Sequence, residues 1–483
     1  MLMEILEKGS YSHLVIRDVF DKYNYSDSRD KAFVKRVTEG TLERLIQIDY
    51  CLNRFSSVPV PKMKPLIRTL MRMSAYQLLF MDKIPDSAVC NEAVKLAGKR
   101  GFRGLSGFVN GVLRTLARNK KGLPYPDREK EPVKYLSVKY SMPEFLIGLW
   151  TEGYGEEKTH ILLEALLKES PLRLRLKESL SDRERQEWEL ALADAGVSVK
   201  RHPYLSYAYE LWNVENVKSL PGYREGFFVV QDVSSMLAAE AAGISGAGAA
   251  AGDELPVGAA EAATEPDKSG ELPEGAAEAA GAEKAAERAG EFLVVDVCAA
   301  PGGKSMHLAE KLGNRGKVIS RDVSEYKAAL LRDNIERTGL TNVEVQVHDA
   351  CILDESLTEK ADVVLADLPC SGLGVIGKKR DIKYRITKEA VSELVKLQRQ
   401  ILDVVWRYVK PGGVLVYSTC TINPDENEKT ARWFAENYPF APESLSPYLP
   451  AELKKEGEEG MLQLFPGLHE TDGFFIARMR RKG

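Results

Sequence analysis

Residues 292–312 read FLVVDVCAAPGGKSMHLAEKL, and this stretch decides the fold class. The apolar run up to Cys298 predicts a buried strand, and the residues from Lys304 onward have the apolar spacing of a helix. The loop between them, CAAPGGKS (298–305), consists mostly of small residues, which let the backbone approach a ligand at the free N–H groups of a helix start. Such a loop is weak support by itself, since many loops of this kind are only tight connections.

Strands and helices alternate from this stretch to the end of the sequence. The later strand-like runs are GKVISRDV (316–323), VEVQVHD (343–349), ADVVLADL (361–368) and GVLVYSTC (413–420). Helix-like runs alternate with them, and this order predicts a doubly wound, mostly parallel α/β sheet with ligand sites at the carboxyl ends of its strands. The closing GFFIARMRR (473–481) predicts one further strand, with an antiparallel direction as one option.

Three acidic residues end successive predicted strands. Asp322 follows the glycine loop by about twenty residues, where a carboxylate can accept hydrogen bonds from both hydroxyls of a ribose. Asp349 ends the next strand, beside the expected place of an adenine, and Asp367 ends the one after. A single strand-end aspartate is often only the cap of the following helix, but three in order indicate a nucleoside pocket. S-adenosylmethionine fits this pocket, because it has an adenosine, no phosphate, and a carboxylate that Lys304 can approach.

The same loop also resembles a phosphate-binding P-loop, because Gly303, Lys304 and Ser305 read G-K-S. A full P-loop needs a glycine where this sequence has Cys298, although VVLAD (363–367) resembles a Walker B strand. An NTPase is therefore kept as the alternative to a methyl-donor site.

Two cysteines follow neighbouring predicted strands, Cys370 in ADLPCSGLG and Cys420 in YSTCTINPDENE. A thiol at a strand end is well placed for a nucleophile, and two of them are hard to explain as packing alone. The sequence has six cysteines and no C-x-x-C pair, which argues against disulfides and a metal cluster and favours a reducing cytoplasm. Three other cysteines are interpreted as inert apolar side chains, namely Cys51, Cys90 and Cys351.

Composition divides the chain into a predicted all-α domain over 1–140, a small α/β connector over 141–225 and a sheet domain over 226–483. Residues 1–145 hold 26 Lys and Arg against 16 Asp and Glu, a net charge of +10. This charge indicates either an ordinary solvated helical surface or a binding module for a polyanion such as nucleic acid. The Ala/Gly/Glu-rich stretch 244–290, which repeats ELPVGAAEAA with one change, cannot bury a core and is predicted to be disordered.

The motifs VQDVSS, DVCAAPGGKS, ADLPCSGLG and YSTCTINPDENE occur in this order along the chain. In this order they resemble the RNA cytosine-C5 methyltransferases, and most closely the bacterial 16S rRNA branch called RsmB or Sun. The N-terminal helices resemble the NusB-type RNA-binding domain of that branch. The resemblance covers nearly the whole chain apart from 244–290. The sequence departs from the family at Arg380, where relatives often have proline, and at Arg321, where they usually have a smaller or apolar residue.

The resemblance implies S-adenosylmethionine as cofactor and 16S rRNA as partner, with methyl transfer to C5 of an unpaired or flipped-out cytosine. It assigns Cys420 as the nucleophile at C6, Asp367 as the partner of N3, and Cys370 as the group that assists release. It also implies a cofactor pocket formed by Cys298, Ala299, Ala300, Pro301, Gly302, Gly303, Lys304, Asp322, Asp349 and Asp367.

Other functions stay open beside this one. A cytosine-C5 methyltransferase acting on tRNA or 23S rRNA would have the same motifs. A DNA cytosine-C5 methyltransferase uses the cysteine after proline as its nucleophile, but Cys420 and the basic helices favour RNA. An RNA-binding protein with a decayed catalytic domain is disfavoured by the intact acids at the strand ends. We also expect a cytoplasmic monomer, and no apolar run of about 18 residues predicts a membrane span.

The composition of the Ala/Gly/Glu-rich stretch generates a first prediction. Deleting residues 246–288 should leave the affinity for S-adenosylmethionine and the methylation rate within about twofold of the parent chain, because loop closure depends weakly on loop length. Isothermal titration and a methylation assay measure the two quantities. A loss of about tenfold in either would show that the segment packs on or gates the catalytic domain, since loop-closure entropy is too small for such an effect.

Overall fold

The structure, a computed structural model, describes residues 1–23, 28–244 and 292–483. The stretch 244–290, predicted above to be disordered, lies outside the described residues except for Ile244. The bounds predicted for the three domains stay a prediction.

The described chain forms two compact units, and neither is continuous in sequence. One consists mainly of the N-terminal helices and is called the helical unit below. The other contains the strands and is called the sheet unit. The helical unit comprises residues 1–170, 371–390 and 465–470, and the sheet unit comprises 171–370, 391–464 and 471–483.

The prediction that the N-terminal part is helical is confirmed. The helices are α1 (Leu2–Leu6), α2 (Ser12–Lys22), α3 (Ser28–Glu43), α4 (Leu45–Phe55), α5 (Pro65–Phe80), α6 (Asp86–Lys99), α7 (Ser106–Asn119), α8 (Pro132–Tyr140), α9 (Glu144–Tyr154) and α10 (Glu156–Ala165). Helices α4 to α7 share an apolar core in which Leu52, Met71 and Leu113 are fully buried. Each such side chain contributes about 2 kcal/mol by leaving water. Among all helices that the structure describes, none is long and apolar enough to cross a membrane.

The helical unit also contains residues 371–390, which begin inside the cysteine motif ADLPCSGLG (366–374) and lie far from the N-terminal helices in sequence. Leu373 and Ile376 bury their side chains there. Gly372 has φ +68°, a left-handed backbone that favours glycine, and a Cβ at this position would lie 3.2 Å from Cδ1 of Ile382. The motif therefore ends in a sharp turn that only glycine adopts without strain.

Within the sheet unit, a small antiparallel sheet comes first in sequence. Its strands are β1 (Leu172–Leu176), β2 (Ser198–Arg201), β3 (Ala208–Trp212) and β4 (Phe228–Val230), in the order β2-β3-β1-β4. Helix α11 (Asp182–Asp194) begins with a capping box, in which the side chains of Ser181 and Glu184 each accept the backbone N–H of the other. Trp188 on this helix packs edge-on against Tyr209, which joins the helix to the sheet.

The large sheet has the doubly wound arrangement that the sequence predicts. Its strands are β5 (Phe292–Asp296), β6 (Gly316–Asp322), β7 (Val343–Val347), β8 (Ala361–Asp367), β9 (Val409–Thr419), β10 (Phe440–Pro442), β11 (Met461–Leu464) and β12 (Phe474–Arg481). They are ordered β10-β12-β9-β8-β5-β6-β7, and β11 pairs with the first half of β12. Strands β5 to β9 are mutually parallel, whereas β12 is antiparallel to β9, so the predicted closing strand is confirmed.

Both faces of the large sheet bear apolar cores, because successive residues of a strand point to opposite sides. Val294 lies in one core with Leu308, and its neighbour Val295 lies in the other with Leu402 and Phe434. The helices of the sheet unit that follow α11 are α12 (Val233–Glu240), α13 (Gly303–Leu312), α14 (Glu325–Thr338), α15 (Lys388–Val405) and α16 (Glu428–Asn437). This two-sided burial explains why the strands are continuous apolar runs in the sequence.

Candidate active site

The carboxyl ends of three adjacent parallel strands bring the predicted catalytic residues to one edge of the large sheet. Strand β8 lies between β5 and β9. Its register pairs Leu365 with Asp296 on one side and Asp367 with Ser418 on the other. Cys370 and Cys420 each follow closely after the ends of β8 and β9. The edge therefore concentrates carboxylates, a hydroxyl and two thiols.

The two cysteines are in contact, with 3.3 Å between the Sγ atoms of Cys370 and Cys420. Neither cysteine forms a disulfide, and both side chains are partly buried. Either sulfur can donate its hydrogen to the other, and a hydrogen bond to a thiolate favours the charged form. The structure thus joins two groups that the sequence placed 50 residues apart.

The cysteines interpreted as inert lie in environments that suppress thiolate formation. Burial raises the pKa of the Cys51 thiol to about 11, and it also raises the pKa values of Cys90 and Cys351. A thiol that stays protonated is a poor nucleophile. Their interpretation as apolar packing residues agrees with this.

Buried amides fix the backbone on both sides of the cysteine pair. Gln398 on α15 donates from Nε2 to the carbonyl oxygen of Pro369, the residue before Cys370, at 2.9 Å. Asn427 accepts from the Thr419 hydroxyl at 2.6 Å and donates to the Thr421 carbonyl at 3.0 Å. These two threonines flank Cys420, so both thiols stand on backbone held by side chains from other elements.

Glu426 contacts Gln398, one of these supporting amides, and was not predicted from the sequence as a site residue. It is fully buried, and its carboxylate accepts from Gln398 at 3.1 Å and from Asn423 at 2.8 Å. Its backbone oxygen also accepts from the hydroxyl of Tyr417. A buried carboxylate is tolerated only when donors surround it. The motif YSTCTINPDENE contains this residue, but its partner Gln398 is distant in sequence and was not predicted.

Asp367 is held on both carboxylate oxygens. Oδ2 accepts from the Lys304 ammonium at 2.8 Å, and Oδ1 accepts from the Ser418 hydroxyl at 2.8 Å. The Lys304 ammonium also lies 5.0 Å above the ring of Phe474 on β12. The sequence suggested that Lys304 can approach the cofactor carboxylate, which stays a prediction, and in the structure its ammonium contacts Asp367.

The glycine loop has the tight backbone that its composition predicts. The N–H of Ala299 donates to the Arg321 carbonyl at 2.8 Å, and burial raises the pKa of the Cys298 thiol. Gly302 has φ +103°, and a Cβ there would lie 2.9 Å from Cδ2 of Leu331, so a larger residue does not fit. Gly303 begins α13, whose first N–H groups have no partner within the helix. The residues Ala300 and Pro301 complete the turn between strand and helix.

Asp322 and Asp349 occupy the ends of β6 and β7 as predicted. The Asp322 carboxylate is buried, accepts the N–H of Ala300 at 3.1 Å and lies 3.0 Å from the ammonium of Lys327. This hydrogen bond therefore connects the end of β6 to the glycine loop. Asp349 is exposed and accepts the N–H of Cys351 at 2.9 Å.

Asp296, at the end of β5, is a further acid that sequence reasoning missed. It is buried, and its carboxyl accepts the Ser305 hydroxyl at 2.6 Å. Burial raises its pKa to about 7, and the neighbouring Asp367 carboxylate adds to this. The residue was hidden in the apolar run FLVVDVC, where its position at the strand end was the only available signal.

Arg321, one of the two departures from the family pattern, is buried beside Asp322. Its guanidinium donates to Gln346 at 2.8 Å and pairs with Asp354. Hydrogen bonds from Ser356 and Arg321 lower the pKa of Asp354 to about 2. The arginine thus fastens the loop after β7 to β6, which is a structural role.

The residues at this edge suit S-adenosylmethionine by their chemistry. A buried carboxylate at the end of β6 can accept ribose hydroxyls, and the helix start at Gly303 offers N–H groups to a carboxylate.

A doubly wound sheet with one reversed strand, a glycine loop at a helix start and acids at successive strand ends define a Rossmann-like S-adenosylmethionine-dependent methyltransferase. Residues 285–480 match the family model described as 16S rRNA methyltransferase RsmB/F, and residues 1–118 match the NusB family. The chain is 34% identical to the probable ribosomal RNA small subunit methyltransferase B of Bacillus subtilis, over 100% of this chain and 97% of that protein. The chain therefore belongs to the RsmB/F family of 16S rRNA methyltransferases.

Solved structures confirm the fold class. The chain matches the crystal structure of the protein called PH0851 with a TM-score of 0.75 and 25% identity, over 99% of this chain and 97% of that one. It matches a methyltransferase homolog protein from Pyrococcus horikoshii with a TM-score of 0.53 and 25% identity, over 72% of this chain and 99% of that one. The predicted cofactor S-adenosylmethionine is confirmed by the family, and the NTPase alternative is removed.

The raised pKa of Asp296 generates a prediction about stability and pH. The folded chain holds this proton more tightly than the unfolded chain, so the carboxyl contributes stability below about pH 4 that is lost as pH rises through 7. In cofactor-free protein, the free energy of unfolding of Asp296→Asn relative to the parent should therefore rise by up to about 4 kcal/mol from pH 4 to pH 8. Urea titration at several pH values measures it.

The control is Asp333→Asn, which removes an exposed aspartate on α14. Its free energy of unfolding should run parallel to that of the parent chain across the same pH range. A constant difference between Asp296→Asn and the parent would mean that Asp296 does not titrate with a raised pKa.

Proposed function

We propose that this rRNA methyltransferase transfers the methyl group of S-adenosylmethionine to C5 of a cytosine in 16S rRNA, through a covalent bond between Cys420 and C6. The observation that carries the proposal is the pair of thiols in contact beside Asp367. A methyltransferase acting on an oxygen or an exocyclic nitrogen needs no thiol, whereas attack through C5 requires a nucleophile at C6.

The glycine loop and the strand-end acids are proposed to form the cofactor pocket. Asp322 would accept the ribose hydroxyls, Asp349 would lie beside the adenine, and the N–H groups at Gly303 would receive the carboxylate. The remaining pocket residues in this proposal are Cys298, Ala299, Ala300, Pro301, Gly302, Lys304 and Asp367. When bound, S-adenosylmethionine supplies an electrophilic methyl group on a sulfonium centre.

Cys420 and Asp367 are proposed to activate the base together. Cytosine C5 is a weak nucleophile, and a bond from the Cys420 thiolate to C6 turns C5 into the carbon of an enamine. The negative charge that develops on the ring is neutralised by a proton shared between N3 and the carboxyl of Asp367. Lys304 and Ser418 hold that carboxyl from its two oxygens, so it needs little reorganisation during the step.

Cys370 is proposed to act after the methyl group has reached C5. The Cys370 sulfur, as thiolate, then accepts the C5 proton, the ring double bond re-forms, and the bond between C6 and the Cys420 sulfur breaks. With 3.3 Å between the sulfurs, the thiol formed on Cys370 can donate its hydrogen to the departing Cys420 thiolate. Two thiols in contact therefore suit a reaction with separate attack and release steps.

The roles of the two thiols can be separated by substitution. Cys420→Ala should abolish both methylation and the covalent protein–RNA adduct, because the nucleophile is absent. Cys370→Ala should retain attack but slow release by about a hundredfold or more, as expected for loss of a group assisting proton transfer. A denaturing gel with labelled rRNA shows the adduct as a slow band, and assays on 16S rRNA, 23S rRNA and tRNA identify the substrate.

Cys351→Ala is the matched control, since it removes a partly buried thiol of the same unit outside the pair. It should methylate like the parent chain. If Cys370→Ala lost the adduct and Cys420→Ala trapped it, the two roles would be reversed, as in the DNA enzymes.

The basic helices are proposed to hold the rRNA, because residues 1–145 have a net charge of +10. Arg114 and Arg118 on α7 are exposed. Replacing both by Gln should weaken rRNA binding and lower the slope of log affinity against log salt by about 0.7 to 0.9 for each phosphate that these arginines neutralise. Fluorescence anisotropy at several salt concentrations measures the slope.

A control pair removes two exposed cations from the sheet unit, Arg183→Gln with Lys218→Gln. This pair should leave the salt slope unchanged, and neither pair should alter affinity for S-adenosylmethionine. Equal salt slopes for the two pairs of substitutions would show that the α7 face does not bind rRNA.

A further inference from the structure

Residues 378–385, KKRDIKYR, contain the second departure from the family pattern and lie in the segment that follows Cys370. The segment 371–390 belongs to the helical unit, whereas Cys370 is the last residue of the preceding part of the sheet unit. One peptide bond therefore connects a reactive thiol to a segment whose packing partners are N-terminal helices.

Arg380 anchors this segment to the last turns of α3. Its guanidinium pairs with the Glu39 carboxylate and donates from Nε to Glu43 at 3.0 Å. Its side chain is only 19% exposed, so both ion pairs are largely shielded from water. A planar guanidinium can serve two carboxylates at once.

Lys383 and Tyr384 donate hydrogen bonds to the carboxyl end of α3. The Lys383 amine donates to the Glu43 carbonyl at 2.8 Å, and the Tyr384 hydroxyl donates to the Leu42 carbonyl at 2.8 Å. The last carbonyls of a helix lack partners within it and attract donors. Burial lowers the pKa of Lys383 to about 7, and the amine donates in either protonation state.

Asp381 makes the opposite contact, at the start of α2. Its carboxylate accepts both the N–H of Ser12, at 3.2 Å, and the hydroxyl of Ser12. Arg385 donates to Asp381 at 2.8 Å and also reaches the carbonyls of Gly9 and Ser10. The segment thus places the Asp381 carboxylate at a helix start and the Lys383 amine at a helix end, as the helix dipoles favour.

We infer that Arg380, Lys383 and Tyr384 are positioning residues, through which helix α3 fixes the backbone that leads out of Cys370 and so sets the geometry of the release step. This inference rests on the proposed role of Cys370. Before Cys370 the backbone is held by Gln398 at Pro369, and after it the turn at Gly372 enters the anchored segment.

The test compares full-length Arg380→Ala with Arg380→Lys and with Lys379→Ala. Lys379 is the exposed neighbouring cation and serves as the matched control. Arg380→Ala should slow release by about tenfold or more, because small misplacement of a reacting group is costly, and the RNA adduct should accumulate. Affinity for S-adenosylmethionine and for rRNA should stay within about twofold, since counter-ion release by phosphate contacts is unchanged. Arg380→Lys retains the charge and should give an intermediate release rate.

A second measurement reports on Cys370 without using the reaction. The rates at which iodoacetamide alkylates Cys370 and Cys420 are followed by mass spectrometry. In Arg380→Ala the rate at Cys370 should change by about threefold or more relative to Lys379→Ala, because exposure and orientation control thiol reactivity. Where Arg380→Ala fails to fold, Tyr384→Phe removes a single donor from the same anchor and gives the same comparison.

The outcomes separate the inference from the proposed function. Folded variants with parental release and parental alkylation of Cys370 would overturn the positioning role, even if Cys370→Ala trapped the adduct. Failure of Cys370→Ala to trap the adduct would instead overturn the proposed role of Cys370. In that case the alkylation rates alone would decide whether Arg380 positions the thiol.

Discussion

The parallel pairing of β8 with β5 on one side and β9 on the other is the constraint on which the site depends. Parallel strands end at the same edge of a sheet, and here the register aligns Asp367 with Ser418 and Leu365 with Asp296. Each of these strands is buried on both faces, so a shift by one residue would exchange its side chains between the two cores and disturb the packing of both. The packing of valines and leucines along the strands therefore fixes the positions of the carboxylates at the strand ends.

Rigid support surrounds the reactive groups. The carboxylate of Glu426 is buried with amide donors from Gln398 and Asn423, and this network reaches the backbone beside Cys370. Asn427 holds the backbone beside Cys420 through Thr419 and Thr421. Buried polar groups are costly when they have no partner, so such a network holds one arrangement strongly. The contact between the two thiols is a weak hydrogen bond by comparison. The backbone around the proposed nucleophile is therefore held more firmly than the contact between the two sulfurs.

Local patterns were sufficient to predict the strands, the glycine loop and the acids at the strand ends, because periodicity and strand order determine them. Contacts between distant parts of the chain were beyond the same reasoning. The sequence showed Glu426 only as part of a motif, since its burial depends on Gln398 in helix α15. Arg380 could be noted only as a departure, because Glu39 lies 341 residues away. Lys304 was assigned to a ligand, and its pairing with Asp367 depends on the three-dimensional distance between α13 and β8.

The discontinuity of the helical unit has a consequence for how the protein is made. Helices α2 and α3 leave the ribosome early, but Ser12 meets its carboxylate partner 369 residues later in synthesis, and Glu39 meets its arginine after 341. Domains usually fold as they emerge, starting from the N-terminus. Here the nascent helices can form their shared core, yet the end of α3 keeps two carboxylates without Arg380 until most of the sheet unit has been translated. The final packing of the first-made part of the chain is therefore completed late in synthesis, in the same part of translation that produces the two thiols in contact.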